Sequence, residues 1–180
     1  RSFDERKPMG GYVHEEAMKK FRQYMAVGGM PQAVSKFVET GDYMEVEEVK
    51  NTILDLYRDD IVKIPTRLTS EKASLVFENI PSLLSNNSKL FSPGRIKGGS
   101  RTRSYLSAVD WLKKADLINI CYNSRDPDAT LRSHIDTTSF KCYMGDTGLL
   151  ISHSLSSGNS SLEETYEALI MNRLSANRGM

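Results

Sequence analysis

Four cations, Arg95, Lys97, Arg101 and Arg103, fall within one short stretch that contains no carboxylate. They run into residues 101–116, where the spacing predicts a helix. Cationic side chains at a helix N-terminus suit phosphate oxygens, because the free N–H groups and the helix dipole both favour an anion there. Ser104 and Ser107 add hydroxyls, Lys114 adds a cation on the same helix, and Arg125 and Arg132 continue the pattern into the next polar segment. The candidate nucleic-acid-binding set is therefore Arg95, Lys97, Arg101, Arg103, Ser104, Lys114 and Arg132. Six phosphate contacts of this kind would give a salt slope of roughly −5. The competing reading is a solvated basic face that docks on an acidic neighbour.

Other residues of reactive type carry less. Asp59 and Asp60 are adjacent, so on a helix they point about 100° apart and chelate poorly; a salt-bridged helix end is the expectation. Asp146 in Gly145-Asp146-Thr147-Gly148 is half of an aspartic dyad without its mate, and an Asx-turn or helix cap fits it better. His14-Glu15-Glu16 lacks the second histidine of a zinc protease helix. Ser152, His153 and Ser154 come without a nucleophile elbow. Cys121 and Cys142 stand apart in apolar surroundings, as buried reduced thiols of a cytoplasmic protein do. No catalytic, metal or cofactor residue is assigned.

The charge distribution sharpens the first point. The net charge is only +1, yet residues 69–135 hold 10 basic against 6 acidic groups, and 85–114 hold 7 basic against Asp110 alone. A local basic excess of this kind points to an anionic partner. Hydrophobic content of 39% and charged content of 26% are those of an ordinary globular chain. No apolar run approaches the ~20 residues of a membrane span, and the N-terminus has no signal-peptide pattern, so no membrane partner is expected. Both ends have the look of a chain cut from a longer one.

The elements that must position these groups are legible from periodicity and punctuation. Residues 13–27 read as a helix with Ala17, Met18, Phe21, Tyr24 and Met25 on one face. Gly28-Gly29 stop it, Pro31 opens a second helix with Val34, Phe37 and Val38 inward, and Gly41 closes that one. A longer helix over 42–63 carries Val46, Val49, Ile53, Leu56, Tyr57 and Ile61, with Pro65 as its stop. Thr69-Ser70-Glu71 cap a further helix that Pro81 kinks or restarts. After the helix at 101–116, alternation over 117–122 and again over 140–144 reads as two strands separated by a polar stretch. Residues 152–161 read as a Ser/Gly/Asn linker, and 162–174 as a C-terminal helix. The fold class is mostly α (α+β): a helical subdomain (1–68), a winged-helix-like unit with a two-stranded hairpin (69–151), then a linker and C-terminal helix (152–180).

Four segments in register also resemble one family. They are Tyr24-Met25-x-x-Gly28-Gly29-Met30-Pro31, then Leu56-Tyr57-Arg58-Asp59-Asp60-Ile61, then Tyr105-Leu106-x-x-Val109-x-Trp111-Leu112-x-x-Ala115-x-Leu117-Ile118, and last Phe140-x-x-Tyr143-x-x-Asp146-Thr147-Gly148-Leu149-Leu150. In this order they are similar to the C-terminal half of prokaryotic AAA-type ATPases, over about residues 12–180. The resemblance implies a parent with an upstream ATPase core, which would bind ATP and Mg, and a downstream nuclease-like portion that residues 172–180 approach. This chain has no phosphate-binding loop and no acidic-Lys nuclease signature. The resemblance together with the basic cluster points to a noncatalytic docking and DNA-binding module, whose partners are those two portions of its parent and, by charge placement, DNA. The alternative is a protein-interaction module without nucleic-acid binding, offering Met25, Met30, Tyr43 and Met44.

Overall fold

Helix boundaries follow the punctuation closely. In the computed structural model, which describes residues 8, 10–86, 88–124 and 135–157, α1 (Gly11–Val27) ends at Gly28, whose φ of 81° suits glycine alone. Pro31 is the first residue of α2 (Pro31–Thr40), and Gly41 ends α2 in the left-handed conformation. Asp42 caps α3 (Tyr43–Val62) by accepting the Met44 N–H at 2.8 Å.

Departures from expectation have identifiable causes. α4 (Arg67–Ser85) begins earlier than the Thr69-Ser70-Glu71 cap and continues past Pro81, which is buried within it and does not restart the helix. α5 is a single turn, Pro93–Ile96. The helix expected at 101–116 opens as a 3₁₀ turn (Thr102–Tyr105) before α6 (Leu106–Lys114), and Tyr105 at their junction is buried at 2% exposure. Strands β1 (Ile118–Ser124) and β2 (Ile135–Met144) pair antiparallel, with Ile118 opposite Met144 and Tyr122 opposite Phe140. The register shifts between Tyr122 and Asn123. The pairing thus extends into residues first read as a polar spacer.

α7 (Thr147–Ser156) occupies the first part of the expected Ser/Gly/Asn linker. Ser152, His153 and Ser154 are fully buried, not solvated. Ser152 can be helical and buried because its Oγ donates to Gly148 O at 3.2 Å, and the exposed Ser156 donates likewise to Ser152 O at 2.9 Å, whereas Ser154 Oγ is buried without a hydrogen-bond partner among the described residues. The helix read at 162–174 lies outside the described residues.

The fold is mostly α with one antiparallel hairpin, an α+β arrangement, and α4, α5 and α6 precede the hairpin in winged-helix order. One apolar cluster extends from Ile53 through Phe77, Ile80, Leu112 and Phe140 to Leu149. Phe91 stacks on Phe140 with ring centres 4.8 Å apart, which fastens the segment after α4 to the hairpin. In α3 the buried stripe includes Leu54 and Lys50, while Leu56 is 56% exposed, so the helix is rotated from the face first read. In α1 the core takes only Ala26 and Val27; of the expected apolar face Met18 and Met25 are half-buried, and Ala17, Phe21 and Tyr24 look outward.

Candidate functional site

Short turns gather the basic residues. Arg95 lies in α5, Lys97 is its C-cap, Arg101 precedes the 3₁₀ turn and Arg103 lies within it. The chain doubles back between them: Lys97 N–H donates to Pro93 O at 2.8 Å, Ser100 N–H to Lys97 O at 3.1 Å, and Ser104 N–H to Arg101 O at 3.0 Å. A Cβ placed on Gly94 would sit 3.8 Å from Ser100 O, so the two turns touch. All four cations are exposed.

Several cations elsewhere are neutralised locally: Arg58 by Asp55 and Glu78, Lys63 by Asp60, Arg67 by Glu71. No carboxylate occurs between Glu78 and Asp110, and none of the four pairs with a described residue. Lys114, in contrast, is 2.7 Å from Asp110. Ser104 Oγ donates to Arg101 O at 2.8 Å, so its proton serves the 3₁₀ turn. Arg132 lies outside the described residues, as does Arg125.

Lys72 of α4 joins this surface without any sequence signal. Its Nζ donates to Ser104 O at 2.7 Å and lies 5.5 Å from the centre of the Tyr105 ring. A cation 32 positions from Ser104 is thus held against the 3₁₀ turn that carries Arg103. Only the packing of α4 on the 3₁₀ turn could reveal it.

A second polar site is buried at the opposite side of the sequence map. Asp146 caps α7, its Oδ1 accepting the Leu149 N–H at 2.9 Å, and its Oδ2 accepts the Gly29 N–H at 2.6 Å. The two glycine-containing motifs, around Gly28 and around Gly148, therefore meet. A Cβ on Gly148 would lie 2.5 Å from Val27 O, and one on Gly28 would strike Asp146 Oδ1. Lys50, fully buried, donates from Nζ to Ala26 O at 2.9 Å and pairs with Glu47 at 2.8 Å. Burial pushes its pKa below the usual lysine value, and Glu47 and then Asp146 counter that shift. Tyr57, whose hydroxyl donates to Met30 Sδ at 3.8 Å, has its pKa raised by burial and by the Asp146 charge. Asp146 and Lys50 both hold backbone groups of the α1–α2 corner, which describes a fastening.

Other reactive types resolve similarly. Asp60 pairs with Lys63 at 2.9 Å, giving the salt-bridged helix end, on the rim of an open cleft of ≈ 400 Å³ floored by Tyr57 and Trp111. Among the described residues no group of His, Cys, Asp or Glu could hold a metal ion. Cys142 is buried, which pushes its thiol up to about 12, whereas Cys121 is exposed and not in the core. His153 lies against Phe77, with Nδ1 3.2 Å from Ser157 Oγ and Nε2 3.5 Å from Glu78 Oε2. No helix among the described residues is long and apolar enough to cross a membrane.

A family model described as a domain of unknown function (DUF8612) matches residues 18–161, most of the chain. The chain belongs to the DUF8612 family. The DUF8612 match covers the basic turns, the hairpin and the Asp146 junction together. It carries no activity with it. Neither a curated protein nor a solved structure matches the chain.

Proposed function

We propose that the chain is a noncatalytic docking and DNA-binding module of a larger AAA-type ATPase. The observation that carries the DNA half is the clustering of charge: Arg95, Lys97, Arg101 and Arg103 are exposed and unpaired among the described residues, in a stretch without a carboxylate, while Arg58, Lys63 and Arg67 are locally neutralised. Unpaired cations are the ones that release counterions when they meet phosphate. The ATPase half rests on the four motif segments. It is supported by the meeting of two of them, through Asp146 and Gly29. In this reading an upstream core uses ATP and Mg, and its nucleotide state biases how the first helices pack and so where the basic turns point.

The test is retention of duplex DNA over a range of salt, read by fluorescence anisotropy. Four phosphate contacts give a log–log slope of about −3.6, at ~0.9 per contact. Arg101→Ala with Arg103→Ala should flatten it by about 2 without preference for one DNA sequence. No binding at low salt, or binding indifferent to salt, would refute the DNA half.

The second reading, a protein-interaction module, loses the patch first assigned to it. Met25, Met30 and Tyr43 are half-buried, Met30 and Tyr43 pack in the core, and only Met44 is well exposed, at 66%. Its better support is α1, whose outward face is apolar.

A further inference from the structure

The outward face of α1 has a geometry of its own. Val13, Phe21 and Tyr24 are 55%, 52% and 55% exposed, and with exposed Ala17 they follow spacings of four, four and three residues. At 100° per residue all four fall within an arc of about 80°. Ile151 of α7 packs on Ala26, which lies on the opposite side of α1, so the stripe does not serve the core. A continuous apolar stripe of this kind on a helix is a surface that pairs with another helix.

The charges beside the stripe indicate which helix. Glu16 and Lys20 border the same edge of it, one turn apart. In an antiparallel pair of identical helices each edge faces its own copy. A two-fold axis at Met18 sets Glu16 against Lys20 of the second copy, and Lys20 against Glu16 of the second copy. The same axis seats Val13 between Phe21 and Tyr24 of the other helix, and Ala17 beside its Phe21. Charge and shape thus select one register. Within its own helix Glu16 has only a loose contact, 4.0 Å from Lys19, with both side chains exposed.

We infer that α1 is a self-pairing surface: two copies of this chain associate through antiparallel α1 helices, with Val13, Ala17, Phe21 and Tyr24 at the seam and reciprocal Glu16–Lys20 pairs at its edge. The inference does not depend on DNA binding. The patch on each copy is small beside the ~800 Å² of a standard interface, so the dimer is weak and concentration-dependent.

Sedimentation velocity on the 180-residue chain, from about 1 μM to about 1 mM, reads the association directly. Lys20→Glu opposes two pairs of like charge and should weaken the dimer at least ~10-fold. Glu16→Lys combined with Lys20→Glu restores opposite charges and should return the affinity to within about threefold of the original. Phe21→Glu should abolish association at every concentration. All these side chains are exposed, and unchanged far-UV circular dichroism and melting temperature confirm that each variant is folded. A monomer at the highest concentration overturns the inference. So does a dimer indifferent to Lys20→Glu and Phe21→Glu, or a double exchange that fails to recover what Lys20→Glu loses.

Discussion

Lys50 is the residue whose environment differs most from what its type suggests. A lysine in a helix reads as solvent-facing, and nothing in its neighbours says otherwise. The structure buries it fully, with its ammonium on Ala26 O and Glu47. Its folded pKa lies below the unfolded value of 10.5 because burial disfavours the charge. Below the folded pKa both states hold the proton and the penalty is constant. Between the folded pKa and 10.5 the unfolded chain binds more protons, so stability rises with pH through that window. Lys50→Met abolishes this rise. It should also cost about 2 kcal/mol near neutrality, since the buried Ala26 carbonyl loses its donor and Glu47 loses the ammonium charge beside it. In urea unfolding at neutral and at alkaline pH, the margin of the original chain over Lys50→Met should widen with pH. A margin that stays constant or shrinks contradicts this account. Asp146 is the opposite case. Its role as a cap is legible from Gly145-Asp146-Thr147-Gly148, but the second oxygen's bond to Gly29 is not, because no local pattern reports a partner 117 positions away.

At the scale of elements, starts and stops were the legible part. Gly28, Pro31, Gly41, Asp42 and Asp146 each act where their chemistry places them. α7 was misread because Ser152, Ser154 and Ser156 have the composition of a linker, while two of these hydroxyls are satisfied by carbonyls one turn back or contribute to that ladder. Composition cannot distinguish a serine that bonds to water from one that bonds to its own helix. The close crossing of α7 over the α1–α2 turn is equally hidden, although Gly148 marks it. A Cβ there would meet Val27 O at 2.5 Å and Gly28 N at 2.6 Å, both backbone. Gly148→Ala should therefore destabilise by about 1–3 kcal/mol through displacement of the helix. Gly98→Ala, with nothing within 4 Å, is the control and should be near neutral. Equal midpoints for the two variants in chemical denaturation would show that the crossing can relax.

For the whole molecule, the mostly α class with one hairpin follows from periodicity, since helical stripes and β-branched alternation are strong signals. The extent of the core does not. The apolar cluster continues from α3 to the start of α7, and His153 packs on Phe77 from the far end of α7. Ending the chain at residue 151, where the sequence suggests a linker, strips Ser152, His153, Ser154 and Leu155 from the face they cover. A chain ending at 157 should melt in one cooperative transition, and one ending at 151 about 4–8 °C lower, as the loss of ~2 kcal/mol implies for this size. Matching melting curves would place the boundary at 151 after all. The basic turns follow the same rule: their charge is plain in the sequence, whereas Lys72 joins them only through packing.

The bond from Gly29 to Asp146 also has a consequence in time. A ribosome delivers the first turn long before it delivers the carboxylate that the turn binds. The α1–α2 corner must wait, partly formed, while the intervening chain emerges, and contacts this remote in sequence close slowly. Newborn chains halted before residue 146 should thus present an unfinished N-terminal half to chaperones and proteases, and release of α7 is the event that locks it.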